Sequence, residues 1–429
     1  MAPRSTREPL PPGKLRHRPA FVRFWTAATL SDFGSAITAL ALQTLVLRDL
    51  GGSTTDVGLV NGARWLAYPV VGLVAGLWID RLRRRPVLVV TDLGRGVLLA
   101  TICALALTDR LAVFALVGLM ALFGLLSLGN DSATQSYLPH LVPRTLLVRA
   151  NARLEQSTAF ASTTGPALSG LLIKVVSAPV AILVDAVSYL VSGIVTATIP
   201  LDERRVDRST RRRARVEITE GLRWAYTHPT LGPLSRNSHA WFLCWAVLGT
   251  VSIAYAFDEL AFSPLTYGLA LSLGGVATLV GTSVSERLTH RWGEGRVILI
   301  SRFGYAPGVA LIVLAPAGTA SGPSGAAIAM IIASQVIIGL VFGAEGPPEM
   351  SYRQAVTPDR LQGRVNTTLR SVNRTMIVVG APLGGLLADH AGPRVALTVA
   401  AVGFFLVGVA FGRTKAATAR FVHDEDGPA

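Results

Sequence analysis

The stretch YLPHLVPRTLLVRANARL at residues 137–154 returns as YRQAVTPDRLQGRVNTTL at residues 352–369. Pro143 aligns with Pro358, Arg149 with Arg364, Asn151 with Asn366 and Leu154 with Leu369, each pair 215 positions apart. The register holds into the apolar run that follows, where Gly165 meets Gly380 and Gly170 meets Gly385. Two further echoes are DRLRRR at 80–85 against ERLTHR at 286–291, and VLVVTDLG from Val87 against VILISRFG from Val297. Shared apolar composition alone does not place Pro, Arg and Asn at a fixed interval. The chain is therefore two related halves. In a membrane chain, such repeats put the substrate site where the halves meet, near the bilayer midplane.

Composition makes this a membrane chain. Of 429 residues, 51% are hydrophobic and only 15% charged, too few charges to cover a soluble surface of this size. Continuous apolar runs recur at about the 20-residue length that crosses a bilayer. The approximate spans are 23–47, 57–79, 87–107, 111–135, 152–175, 179–199, 237–260, 264–284, 297–316, 325–345, 367–388 and 393–412. The runs do not alternate, so they read as helices rather than barrel strands. The expected fold is an all-α membrane protein with twelve transmembrane helices in two pseudo-symmetric six-helix bundles. The domains follow: a tail at 1–22, a bundle at 23–200, a linker at 201–236, a bundle at 237–412 and a tail at 413–429. Within the linker, Ile218, Leu222, Ala225 and Tyr226 fall at helical spacing and predict a short amphipathic helix. The first apolar run is too long for a signal peptide and has no small-residue cleavage site after it, so it reads as a retained helix.

The net charge of +14 is distributed by side. Across alternating loops, 31 Lys and Arg fall on the side of the two termini and the 201–236 linker, and four fall opposite: Arg48, Arg110, Lys174 and Arg394. That asymmetry is the positive-inside rule, so both termini are expected in the cytoplasm of a bacterium, with the chain in its inner membrane. It also argues against a nucleic-acid patch and leaves lipid headgroups as the partner of the basic loops. Cys103 and Cys244 both lie in spans and supply neither a disulfide framework nor a metal site.

GLWIDRLRRRP at Gly76–Pro86 joins the second and third spans. TTGPALSGLL at Thr163–Leu172 lies in the fifth. The first resembles the signature loop of the major facilitator superfamily, and the second resembles that superfamily's exporter-associated Gly-Pro motif, with Ser169 where a second Gly is usual. LSDFGSAITALALQ, DLGRG, LVDAVSYLVS, EGLRWAYTHPTL and PDRLQGRVN are similar to stretches of the subgroup that holds enterobactin exporters and macrolide-efflux proteins. The resemblance covers nearly the whole chain. It implies a conformational latch built from Gly76, Asp80, Arg81 and Arg85, echoed by Glu286, Arg287 and Arg291. The echo is degraded, with Thr282 in the Gly register. Gly76 permits close helix approach, and Asp80 suits a helix N-terminus of the opposite half. Gly165 and Pro166 would kink the fifth helix, and Gly170 would give it a flat face for the other half.

Ionisable groups inside spans are costly and therefore functional candidates. Asp32 lies about nine residues, or roughly 14 Å, into the first helix. A carboxylate out of water takes up protons more readily, and Asp32 has no basic neighbour in sequence, which makes it the first candidate for proton coupling. Asp92 and Asp185 are the others, with Asp185 also suited to anchoring the sixth helix. Asp92 and Arg95 stand at i, i+3 and can pair. Arg302 occupies the repeat position of Asp92 with the opposite charge. Arg64, Arg95, Arg302, Arg370, Arg374 and Glu345 are expected to form an intramembrane charge network, and Asp92, Arg95 and Arg302, near the cytoplasmic third, are expected to gate. No histidine falls deep in a predicted span. Trp65, Tyr68, Tyr189, Trp241, Trp245, Tyr255 and Phe342 are candidates for a greasy cavity.

The reading that joins these observations is proton-driven export of a small amphiphilic compound such as a drug, antibiotic or siderophore, by alternating access. The direction comes from the resemblance alone. The proton gradient is the energy source, with no cofactor, no metal and no catalytic residue expected. One chain holds both halves, so a monomer is expected to suffice. The competing readings are import of a small metabolite and a non-transporting sensor or scaffold. An enzyme is disfavoured, because the chain carries no HExxH, GxSxG or P-loop pattern.

Overall fold

A computed structural model of the chain describes residues 15–72, 82–200 and 214–420, with side chains from residue 219 onward in the third segment. The first six spans are α1 (Pro19–Thr44), α2 (Thr54–Trp65), α3 (Arg84–Leu107), α4 (Val113–Leu141), α5 (Leu147–Val175) and α6 (Ala178–Ala197). A linker helix, α7 (Ala214–Thr227), follows. The second six are α8 (Leu231–Asp258), α9 (Pro264–Trp292), α10 (Glu294–Val313), α11 (Gly325–Ala355), α12 (Asp359–Ala391) and α13 (Pro393–Gly412). The chain is all-α, twelve membrane helices in two six-helix bundles.

Local signals set the helix starts. Pro19, Pro179, Pro264 and Pro393 sit in first turns, where no amide hydrogen is needed. Ser53 and Asp56 form a reciprocal capping box at α2, and Ser263 and Ser324 cap α9 and α11. α1 continues through a single π turn, Leu45–Asp49, and α2 resumes after a break at Leu66 to residue 72. Among the described residues, ten helices are long and apolar enough to cross a membrane. α2 is only partly described, and α5 is diluted by Ser157, Thr158, Ser162, Thr163, Thr164 and Ser169. α8 starts at Leu231, earlier than hydropathy places it, because its first turns are polar (SRNSH) yet buried against the rest of its bundle.

α1, α5, α9 and α12 run between two faces. The face where α1 and α12 begin is the Arg-rich one, here the basic face; the other is the far face. In the far half of the molecule the two bundles meet backbone to backbone along two seams. In the α2–α12 seam, a Cβ on Gly58 would lie 2.3 Å from the Ala381 carbonyl oxygen, and one on Gly385 would lie 2.5 Å from that of Thr54. In the α5–α9 seam, a Cβ on Gly170 would lie 2.4 Å from the Pro264 oxygen, and one on Gly268 would lie 2.2 Å from that of Pro166. Only glycine fits such an approach. Gly170 and Gly385 are repeat partners, so the same residue of each half closes the same end of the molecule.

Candidate functional site

In the first half, on the basic side of the Gly58 and Gly170 contacts, lies a cavity of about 310 Å³. Asp32 of α1 and Asp131 of α4 both line it, with Arg64, Trp65, Tyr68, the Asp92–Arg95 pair and Tyr189. Thr158 of α5 donates to Asp32 Oδ2 at 2.7 Å, and Tyr68 donates to Asp131 Oδ2 at 2.5 Å. Asp92 is paired with Arg95 and also accepts from Asn130 at 3.0 Å and Ser192 at 2.8 Å. The Arg95 guanidinium lies 4.2 Å from the Tyr189 ring centroid. These contacts hold a buried ion pair in place without exposing either charge.

The second half has its own cavity, about 220 Å³, lined by Trp241, Arg302, Tyr305, Phe342, Glu345, Glu349 and Asn373 among others. Trp241, Trp245 and Phe342 stack into one shelf, with ring planes 14° and 19° apart at 5.0 and 5.6 Å. Arg302 sits beneath it, 5.4 Å from the Trp241 ring, and pairs with Glu345 at 2.7 Å and Glu349 at 2.9 Å.

Side chains rather than backbones join the halves at this level. The Arg374 guanidinium of α12 lies 3.8 Å over the Trp65 ring of α2, which also neighbours Arg64 and Tyr68. The Gln135 amide oxygen, oriented by its surroundings, accepts from Arg370 at 2.9 Å. Long, polar-tipped arms bridge the cleft here, where glycines close it at the far face.

A chain with two six-helix halves, glycine seams at one face and a charged cleft at the other invites comparison with known transporters. The profile of the Major Facilitator Superfamily matches residues 24–257 and again 240–427, one match per half. The chain belongs to the major facilitator superfamily. Among curated relatives, the "Multidrug efflux pump Tap" of Mycolicibacterium fortuitum is 28% identical over 89% of this chain and 92% of its own. The "Uncharacterized MFS-type transporter YfiS" of Bacillus subtilis (strain 168) is 24% identical over 92% and 93%. Among solved structures, the nucleoside transporter NupG has a TM-score of 0.73 at 12% identity, covering 91% of this chain and 98% of that one. A bacterial homologue of the iron transporter ferroportin, in an inward-facing state, has a TM-score of 0.69 at 18% identity over 93% and 98%. This superfamily member is thus a multi-pass membrane transporter and not an enzyme.

Within this transporter the candidates named from sequence fall into groups. Asp32, Asp92, Arg64 and Arg95 share the first cavity. Asp185 does not line it: it is fully buried between α1 and α6, accepts from Ser188 at 3.1 Å, and would touch any Cβ on Gly34. Arg302 and Glu345 stay within the second half, so the charge network is two separate clusters with Arg370 and Arg374 reaching between them. Gly165 packs on Ala36 of its own half, while Pro166 and Gly170 face α9. Of the latch, Gly76, Asp80 and Arg81 lie outside the described residues. Arg85 donates to the Ala197 carbonyl, Glu286 stands 3.8 Å from His290, and Arg287 and Arg291 are exposed.

Sequence reasoning missed four polar groups. Asp131, Asn130 and Glu349 sit where hydropathy draws a span end, although the repeat register sets Asn130 against Glu345 and Thr134 against Glu349. His239, placed at the mouth of its span by the late start given to α8, is buried and bonded to Asn373 at 2.7 Å and Tyr226 at 2.8 Å. Tyr255 is no cavity residue; it binds Arg394 near the far face.

Proposed function

We propose that this transporter exports a small amphiphilic compound from the bacterial cytoplasm in exchange for protons. On this reading the basic face is cytoplasmic, and the described state is open towards the cytoplasm. The observation that carries it is a pair of unlike cavities, one in each half. Asp32 and Asp131 line the first half, and an aromatic shelf of Trp241, Trp245 and Phe342 stands in the second. An amphiphile needs both, an apolar wall to leave water for and a polar group to be released by. Asp32 is the coupling residue: it lies in the cleft, it holds a single described hydrogen bond, and its charge is not cancelled by a neighbouring Arg as that of Asp92 is. The likeness to efflux pumps supports the direction. No cofactor enters the cycle; the proton gradient drives it, one chain suffices, and lipid headgroups bind the basic loops.

The test uses everted membrane vesicles with an acidic interior and a pH dye. Lipophilic antibiotics, dyes and siderophores are added in turn to wild type and to Asp32→Asn. Substrate-triggered proton release in wild type and its loss in the variant are expected. Undiminished release from Asp32→Asn would remove Asp32 from the coupling, and no release with any compound would sink proton-driven export.

A further inference from the structure

The two halves carry the same helices and opposite charge. Asp92 on α3 corresponds in the repeat to Arg302 on α10, and neutral Asn130 and Thr134 on α4 correspond to Glu345 and Glu349 on α11. At these matched positions the first half therefore sets one acid, Asp92, against one base, Arg95, and the second sets one base against two acids. Arg302 is 1% exposed and Glu345 4%.

The hydrogen count around Arg302 does not close. Its Nη2 has two hydrogens. Three oxygens stand within reach of that one nitrogen: Glu345 Oε1 at 2.7 Å, Glu349 Oε2 at 2.9 Å and Ser238 Oγ at 3.2 Å. Ser238 spends its own hydrogen on Glu349 Oε1 at 2.9 Å. Meanwhile Glu345 Oε2, the Tyr305 hydroxyl and Arg302 Nε and Nη1 are buried without a well-formed hydrogen bond among the described residues. Buried polar atoms are rarely left so, and a carboxylate without a counter-charge is the costliest kind.

No second base pairs directly with either glutamate, although Arg353 lines the same cavity and its charge acts on Glu349. From α8 the cluster meets Ser238 and His239, whose ring is engaged by Tyr226 and Asn373. α9 brings Ser285, which bonds the Ala344 carbonyl. α10 brings Arg302 and Tyr305. α11 adds Arg353, whose guanidinium is turned to the Met350 sulfur at 2.9 Å, and α12 adds Asn373, with Arg370 directed to Gln135. Among the described residues Arg302 is the one cation paired with either glutamate.

We infer that Glu345 and Glu349 hold one proton between them, which makes this cluster a second proton-binding site, in the half that lacks Asp32. One proton brings the cluster to neutrality and gives Glu345 a hydrogen of its own to place. The site lines the cavity beneath the aromatic shelf, so a bound compound and the proton meet at the same wall. The inference adds a site to the export reading without depending on it, because the proton is read directly.

The measurement is infrared difference spectroscopy of the purified full-length protein, stepped from acid to alkaline pH in light and heavy water. It follows the carbonyl stretch of protonated carboxylic acids. Asp32→Asn serves as background, so that Asp32 contributes nothing. Adding Glu345→Gln is expected to remove one carboxylic-acid equivalent of titrating intensity. Adding Glu349→Gln instead is expected to remove the same one, because a lone glutamate opposite Arg302 ionises. Either variant keeps a carboxylate on Arg302, and should one fail to fold, the other reads the same band. Unchanged intensity in a folded variant overturns the inference. Loss with Glu345→Gln but not with Glu349→Gln puts the proton on Glu345 alone and refutes the sharing. A failed vesicle experiment would end the export reading and leave this band as it is.

Discussion

Asp389 near the far end of α12 reaches across to the start of α2. Its carboxylate accepts from the Thr54 amide at 3.0 Å, the Thr55 amide at 2.9 Å and the Thr55 hydroxyl at 2.5 Å. It thus sits on the N-terminus of a helix in the opposite half, where the dipole favours an anion. The contact exists only while the far face is closed. Asp389→Ala deletes three charge-assisted bonds and one dipole interaction. Asp389 is exposed, so water competes, and about 0.5 kcal/mol per bond is a fair allowance. With the dipole included, the loss is about 2 kcal/mol, an approximately 30-fold shift towards a far-open state. Double electron–electron resonance reads this directly. Spin labels go on Thr108→Cys and Ser321→Cys, exposed far-face positions in the two halves, with Cys103 and Cys244 replaced by Ser. The variant should gain a longer-distance population, and Asp389→Asn should fall between it and wild type. A distance distribution identical to wild type would refute the clasp.

Gly268→Leu should act in the same direction, since its Cβ begins 2.2 Å from the Pro166 oxygen and must force the seam apart by about 1 Å; a cost of about 1–3 kcal/mol should appear as the same longer-distance population between the two spin labels. Arg302→Met strands buried Glu345 and should cost about 3 kcal/mol, read as a lower melting temperature in detergent, and adding Glu345→Gln should recover most of it. His228 accepts the amides of Thr230 and Leu231 on its Nδ1, and burial holds its pKa below the ordinary histidine value. The unfolded chain then takes up the proton first, so the linker's contribution to stability is full above the ordinary value and falls with pH below it. Melting curves should show His228→Asn losing that pH dependence while keeping the cap.

The halves were legible in sequence because a repeat is a statement about position, and position survives without knowing where side chains point. The Pro143/Pro358 and Gly170/Gly385 registers predict equivalent helices, and Gly170 and Gly385 do make equivalent contacts. What hydropathy could not supply was direction around a helix. Asp185 and Asp32 look alike as acids in apolar runs, yet one is sealed against Gly34 and the other faces the cleft. Asp131 and Glu349 were lost to a different cause. Helices here extend well beyond the hydrocarbon length, so an acid that looks terminal in the apolar run lies well inside the helix. Asp389 was hidden because its partner is a pair of backbone amides, which every sequence contains.

The glycine seams also decide where voltage acts. Backbone packed on backbone leaves no room for water, so the far half is an insulator, and on the proposed reading water enters from the basic side alone. The membrane potential then drops almost entirely across the seams. If Asp32 couples transport as proposed, protons reach it without crossing that drop, at the potential of the bath on the basic side. At about 2.3 kcal/mol per charge per 100 mV, the field does its work when the halves swing and a loaded or empty cleft carries its net charge to the other bath.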